Sequence, residues 1–429
     1  MKKRLILLAS LFCFVSALTF ASGSSETNTA NDQALNQKVT MKVSTWTSNK
    51  DQITLLSSFV DEFAQKKGID IDCEFETITF GEYTTKLSME LQGNDAPDVF
   101  WMLETTAPTF VSSSLLADLS SALQEYDFAD LSPAAMSLWE KDGKVFGVPF
   151  STSPFFIIYN EDLFKEAGLK TPEQMKADGE WTWENFRKVS KELTDATGVY
   201  AYQTPDGGGY DARILHNLVP IIRSYGSDAW TDDNQILINS DESVEAVTLF
   251  HNMVYKDGSV VPPGNQSDFF AGDAAMTMAQ VSRISKLEGA SFNWGMVTIP
   301  EGPAGEVPVI GQAAICANAK SKNGSLAAEL VAYMTSKSCV ERMAGIWPPA
   351  RKSVLTSDAF LNSNSAVTPE QMKDTVATSI NNGKVLPSHR LYPQIEVESK
   401  MVWDKLWNAN ADVASVLDEV ATVYKKYIK

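Results

Sequence analysis

KVTMKVSTW (38–46) sets the reading of the chain. Val39, Met41, Val43 and Thr45 alternate with Thr40, Lys42 and Ser44, the period of a strand with one face buried, and Trp46 follows at its carboxyl end. Ile53, Leu56, Phe59, Val60 and Phe63 then recur at helical spacing, and Gly68 supplies a stop. Ile69, Ile71, Cys73 and Phe75 alternate as a second strand. Tyr83, Leu87 and Leu91 mark another helix, and Asp98-Val99-Phe100-Trp101 reads as a buried third strand. The order β-α-β-α-β predicts an α/β fold with a parallel sheet and right-handed crossovers. Ligands of such open sheets bind beyond the carboxyl ends of the strands. Trp46 and the segment from Trp101 to Thr105 lie at two such ends.

Outward from this unit, KVFGVPFSTS (144–153) reads as a crossing into a second domain. Tyr159-Asn160 leads into a short helix stopped at Gly168, and Thr182 can cap a helix with Trp183, Phe186, Val189 and Leu193 on its apolar face. Helices dominate from there to about Tyr255. Ala274–Ala279, Trp294–Ile299 and Val309–Ala317 read as strands, Pro300–Pro308 as a loop, Ala327–Met343 as a helix and Val397–Ile428 as helical. A chain of 429 residues exceeds what one core usually supports, so two domains are expected.

Toward the N-terminus, Lys2, Lys3 and Arg4 precede an apolar run from Leu5 to Leu18, and Thr19-Phe20-Ala21 offers small residues for cleavage after Ala21. Residues 1–21 therefore read as a secretory signal and 22–37 as a polar, flexible leader. Cys13 lies inside the apolar run after bulky Phe12, so the expected product is periplasmic or extracellular and not lipid-anchored. The net charge of −18 becomes three units more negative without the signal. Such a surface argues against nucleic acid and anionic lipid as partners. Cys73, Cys316 and Cys339 form no CxxC; they indicate no zinc site and leave a single disulfide open.

The chemistry of catalysis is missing. His216, His251 and His389 belong to no HExxH, and the chain has neither GxSxG nor a phosphate-binding GxxxxGK[ST]. No cofactor or metal is indicated and no catalytic residue is assigned. A two-carboxylate glycoside hydrolase survives on residue types alone. Aromatic richness beside polar loops suits a sugar, because an indole stacks on the C–H face of a pyranose while polar groups bind its hydroxyl rim. Most of the ten tryptophans read as core, Trp183 on its helical stripe and Trp403 and Trp407 at i, i+4 among them. Trp46 and Trp101 stand apart as cleft candidates.

Several blocks together carry a resemblance. They are Asn94-Asp95-Ala96-Pro97-Asp98-Val99; Gly143 to Pro149; Tyr159-Asn160-Glu161-Asp162-Leu163-Phe164 with Ala167-Gly168 and Thr182-Trp183; Phe270 to Met276; and Ile299-Pro300-Glu301-Gly302. From about Val39 to Ile428 the chain resembles the maltose-binding-protein-like family of extracellular solute-binding proteins, the sugar receptors of ATP-binding-cassette importers. The resemblance implies a type II, two-lobed periplasmic-binding-protein-like fold, each lobe a mainly parallel sheet flanked by helices, joined by hinge crossings. It implies one lobe of residues 38–150 plus 313–345 and another of 151–312 plus 349–429. It also implies a monomer that closes over a small molecule and docks on the permease subunits of an ABC importer.

Residue by residue, Trp46, Trp101 and Glu104 match the family's tryptophans and acidic residue at the first and third strand ends. Ser153 falls where maltose-binding protein has a hinge glutamate. Tyr210 and Asp211 fall in a segment that supplies a stacking aromatic. Ser282 replaces a stacking tryptophan, with Gln280 beside it. Gln312 and Trp347 sit near the later crossings, and His389 and Arg390 in the loop before the last helices. Glu104 also reads as a solvated turn residue, Tyr210 as a core aromatic and Arg351 as a surface ion-pair partner. Glycerol phosphodiesters and polyamines stay open as ligands beside sugars.

Overall fold

The structure is a computed structural model that describes residues 38–93, 95–131, 133–205, 209–211 and 213–429. The expected signal (1–21), the leader (22–37), Asn94 of the Pro-Asp-Val block and the glycines at 207 and 208 lie outside the described residues. The opening unit forms as its periodicity dictates: β1 (Lys38–Thr45), α1 (Lys50–Lys67), β2 (Asp70–Thr77), α2 (Phe80–Gln92) and β3 (Val99–Leu103). The Asn49 side chain accepts from the amides of Asp51 and Gln52 to start α1, a cap that contributes about 1 kcal/mol. Gly68 ends the helix at φ 67°, a left-handed turn that costs a residue with a Cβ more than it costs glycine. Leu56, Phe59, Val60 and Phe63 form the buried stripe of α1, while Met41 and Val43 of β1 are fully buried. β1 pairs in parallel with β2 and β3, which puts the three carboxyl ends on one side.

A small hairpin, β4 (Glu140–Lys141) and β5 (Lys144–Val145), precedes the first crossing. The crossing itself is β6 (Val148–Pro154), which runs almost directly into β7 (Phe156–Asn160). There follow β8 (Tyr200–Gln203), β9 (Ala274–Ala279), β10 (Trp294–Val297), β11 (Val309–Ala317) and β12 (Lys384–Val385). β11 returns antiparallel beside β3 and β6, and β12 runs parallel to its start. The first sheet is therefore β2-β1-β3-β11 with β6 and β12 also on β11.

The second sheet, β10-β7-β9-β8, departs from the mainly parallel arrangement expected of each lobe. Its β10–β7 and β7–β9 ladders are antiparallel and only β8–β9 is parallel. The pairing follows from connection: β7 enters from the hinge against β9 and β10, which arrive from the opposite end. Side chains alternate along β7. Phe155, Ile157 and Tyr159 pack with Trp183, Phe186, Leu218, Phe250 and Val420 of the covering helices, whereas Phe156 and Ile158 face the core shared with the first sheet.

Three expectations need correction. The helix over 327–343 is two helices, Gly324–Met334 and Lys337–Met343, because the backbone turns extended at Ser336 (φ −63°, ψ 159°) and a new helix starts there. The C-terminal helix is also two, Tyr392–Trp403 and Val413–Tyr427, with Asp412 capping the second. The segment just after 349 is held to Thr335 and to residues 127–130. Arg351 is 1% exposed and donates to the carbonyls of Thr335 and Asp127, while Ser353 binds Asp130 through both its amide and its hydroxyl. Val354, Leu355 and Phe360 join the core of the first sheet. Arg351 is thus an internal fastener, not a surface ion-pair partner.

Candidate functional site

The carboxyl ends of β1 and β3 carry an aromatic cluster. Thr45 Oγ1 accepts from the Thr47 amide, and Ile78 N donates to the Thr45 carbonyl, which fixes the turn that presents Trp46. The Trp46 ring stands edge-on to Trp101 (4.7 Å between centroids), Tyr83 (5.1 Å) and Phe80 (5.8 Å). Phe80 is 51% exposed, an unusual position for a large apolar ring, and sits at the start of α2 just beyond β2. Trp101 is fully buried: Phe150 lies 4.7 Å and Trp347 5.2 Å from its ring. Tyr83 links the strands beneath, donating to the Ser44 carbonyl and accepting from the Trp101 amide. Trp46 and Phe80 therefore form the accessible surface, and Trp101 and Trp347 the wall behind it.

Glu104 is 4% exposed and is no solvated turn residue. Its amide donates to the Gln312 carbonyl and its Oε2 accepts from the Gln312 amide, continuing the β3–β11 ladder by one step. Oε1 lies 3.9 Å from Nε2 of His216, on the helix Ile214–Ser224 that covers the second sheet. The Gln312 side chain is held by Trp139 Nε1, which donates to its Oε1 at 2.7 Å. Trp101 Nε1 and Gln312 Nε2 are both buried without a protein acceptor.

The opposite wall belongs to the second lobe. A small pocket of about 40 Å³ is lined by Tyr210, Asp211, Ile214, His216, Tyr392, Glu396 and Trp403. The His216 ring packs 5.4 Å from Phe155, and the Arg213 guanidinium lies 5.6 Å from the centre of that phenyl ring. Desolvation raises the Glu396 carboxyl above its usual range against the pull of Lys400. Tyr392 is raised far more, by burial first and then by Glu396, Tyr424 and Glu104. Tyr210 is largely structural: its hydroxyl donates to the Val261 carbonyl at 2.5 Å, its carbonyl accepts from Trp407 Nε1, and its ring meets Trp407 at 4.7 Å. The walls touch where Thr109 Oγ1 donates to the Arg390 carbonyl at 2.7 Å. Beside it, His389 Nδ1 accepts from the Leu391 amide, and burial, then Arg390, pushes its imidazole below the ordinary value.

Of the residues singled out in the sequence, the structure groups Trp46, Trp101, Glu104, Gln312 and Trp347 on the first wall. Tyr210 and Asp211 lie on the second, and His389 lies where the walls meet. Ser153 and Gln280 meet each other instead: Gln280 Nε2 donates to the Ser153 carbonyl at 2.9 Å. Phe80, His216, Tyr392 and Glu396 escaped the sequence reading. Only Phe80 left a signal there, an aromatic five residues past Phe75, the last apolar residue of the second strand. The described residues hold no group of three or more His, Cys, Asp and Glu side chains arranged for a metal, and Cys73, Cys316 and Cys339 are all free thiols.

The fold has counterparts among known proteins. A binding protein of Brucella abortus is 24% identical over 267 residues, 56% of this chain and 58% of its own length, so the chain spans under two thirds of that relative. The galactooligosaccharide-binding protein of Bacillus subtilis is 24% identical over 383 residues, 85% of each chain. The fold matches an ABC substrate-binding protein of Listeria monocytogenes in complex with cycloalternan, with a TM-score of 0.76 at 23% identity over 91% of this chain and 98% of that one. The model of the bacterial extracellular solute-binding proteins matches residues 58–369. Over more than half of its length the chain fits that family, and with its two α/β lobes it is a member of the bacterial extracellular solute-binding proteins.

Proposed function

We propose that the protein captures a carbohydrate between its lobes and hands it unaltered to the permease of an ABC importer. The observation that carries this reading is the pairing of walls. Trp46 and Phe80 offer rings at the strand ends of the first lobe, and Glu104 of that lobe comes within 3.9 Å of His216, which with Tyr392 and Glu396 lines the second-lobe pocket. An apolar face opposed to a polar rim is what a pyranose presents. The galactooligosaccharide specificity of the Bacillus subtilis relative supports the same class. Trp46, Phe80, Glu104, Asp211, His216 and Glu396 are the ligand contacts in this reading, and Trp101, Gln312 and Trp347 hold them in place. Export by residues 1–21, with cleavage after Ala21 and no lipid on Cys13, completes the proposal; the intact mass of the exported protein tests it.

A thermal-shift screen against galactotetraose, arabinotetraose, maltotetraose, spermidine and glycerophosphocholine tests the ligand class. A ligand at about a thousandfold excess over its Kd stabilises by about 4 kcal/mol. A shift with a glycan alone supports the proposal, and a shift with spermidine or glycerophosphocholine alone overturns the carbohydrate assignment. The best glycan is then incubated with the protein and followed by chromatography. Recovery of intact glycan is expected; catalytic release of shorter sugars overturns the binding-protein reading in favour of a hydrolase.

A further inference from the structure

We propose that the hinge axis passes between two successive rungs of the β6–β11 ladder, and that Gln280 is the pin that holds the second-lobe side of it. The two crossings pair with each other, Gln312 opposite Thr152 and Gly311 opposite Ser153. These neighbouring rungs are fastened to different bodies. The Thr152 amide donates to the Pro348 carbonyl at 2.8 Å and its hydroxyl to the Pro349 carbonyl at 2.7 Å. Pro348 and Pro349 lie between Trp347, packed on Trp101, and Arg351, buried in the first lobe. Gln312 is tied to Glu104 through two backbone-directed bonds and to Trp139 through its side chain. That rung belongs to the first lobe.

The next rung belongs to the second lobe. The Ser153 carbonyl accepts from Gln280 Nε2, and Gln280 stands at the end of β9, the strand beside β7. The same amide fills the space at Gly311, where a Cβ would lie 2.6 Å from Nε2. One step further, the Phe155 amide donates to the Val309 carbonyl and seals the pair. Between the rungs, Thr152–Ser153 and Gly311–Gln312 are the peptide links that join the two differently fastened pairs. Rotation concentrated there moves one lobe against the other with little change inside either, as hinge closure requires. Gln280 is therefore a positioning residue for closure: its amide is spent on the hinge, not on the ligand.

This inference rests on the two-lobed binding reading, but its decisive test needs no ligand. Gln280→Met keeps the volume and removes the amide; Gln280→Ala removes both. Gly311→Ala leaves Gln280 in the chain and presses a methyl group onto its amide. Small-angle scattering and amide hydrogen exchange are measured on the unliganded full chain of each folded variant. The expected result is a larger radius of gyration than the unsubstituted protein shows, with faster exchange in peptides covering residues 153–155 and 309–311 and unchanged exchange in those covering 99–107. Affinity for the glycan found by the screen should fall about two- to tenfold, the worth of one hydrogen bond. Identical scattering and exchange in Gln280→Met and Gly311→Ala overturn the pin, whichever ligand the screen returns. A screen with no glycan hit defeats the carbohydrate reading and leaves the scattering comparison to judge the pin.

Discussion

Substituting Trp46 and Trp101 one at a time separates the wall of the cleft from its surface. Trp101 is fully buried, with three aromatic rings within 5.2 Å of its own. Trp101→Ala leaves a cavity lined by Trp46, Phe150 and Trp347 that rigid rings cannot collapse to fill, a change that costs about 3–5 kcal/mol. Unfolding entropy near 2.1 cal/mol/K per residue, over roughly 390 ordered residues, is about 0.8 kcal/mol/K, so the melting midpoint falls by about 4–6 °C. If each lobe melts as its own unit, the shift is about twice as large. Trp46 is only partly buried, and Trp46→Ala costs about 1–2 kcal/mol of stability. Its effect on binding is the larger one, about 1–3 kcal/mol of affinity, as for an aromatic anchor. Differential scanning calorimetry and titration calorimetry with the best glycan measure both quantities on the same samples. A Trp101→Ala protein that melts within a degree of the unsubstituted one, or a Trp46→Ala protein with unchanged Kd, refutes the division of roles.

Other outcomes follow from the same contacts. Arg351→Ala should cost about 3–5 kcal/mol in urea unfolding, because it removes a buried guanidinium that donates to the Thr335 and Asp127 carbonyls and lies 3.7 Å from Asp130. Burial raises the Asp130 carboxyl, but Ser353 and Arg351 outweigh it and hold the group below its ordinary value. Its folded pKa is depressed, so the stability it contributes is complete above about pH 4 and is lost as pH falls through the lowered value. Asp130→Asn should flatten the acid limb of the stability curve by that amount, and an unchanged limb would count against the account. Thr152→Val, which removes the hydroxyl bond to Pro349, should cost about 1 kcal/mol without moving the scattering profile as Gln280→Met does. Burial, then Asp61 and Asp98, pushes the Cys73 thiol up to about 12, so it should react slowly with a disulfide reagent in the native protein and at once in guanidinium. Denatured, non-reduced mature protein should show three thiols; a count of one would contradict the free cysteines.

Much of the first lobe was legible because its instructions are local. Period-two alternation, a helical stripe and a glycine stop are each written within a few residues, and they specify β1 through β3. β8 was missed because Tyr200-Ala201-Tyr202-Gln203 is buried or half-buried on both faces and has no alternation to read. The antiparallel second sheet was illegible for another reason: strand pairing depends on where connections arrive, and periodicity carries no direction. Within the site, strand ends were readable and depth was not. Trp46 and Trp101 look alike in sequence, but Phe150 and Trp347 come from distant segments to cover only the latter. Gln280 was read as a site residue beside the position of a missing stacking tryptophan. Its partner, the Ser153 carbonyl, is a backbone atom 127 residues away that no side-chain pattern reveals.

The pairing of β3 with β11 also governs how the chain can be made. Trp101 lies beside Ile315 in the ladder, so an inner strand of the first sheet waits for a partner more than two hundred residues downstream. Until then, Val99-Phe100-Trp101-Met102 presents an unpaired and wholly apolar edge. Closing so long a loop is slow, and folding rate falls as contacts become more distant in sequence. A chain threaded outward from its N-terminus would reach the far side of a membrane with this edge still open. Delayed closure keeps the polypeptide threadable while it is still crossing, and it leaves Val99–Met102 as the segment a holding chaperone would have to shield.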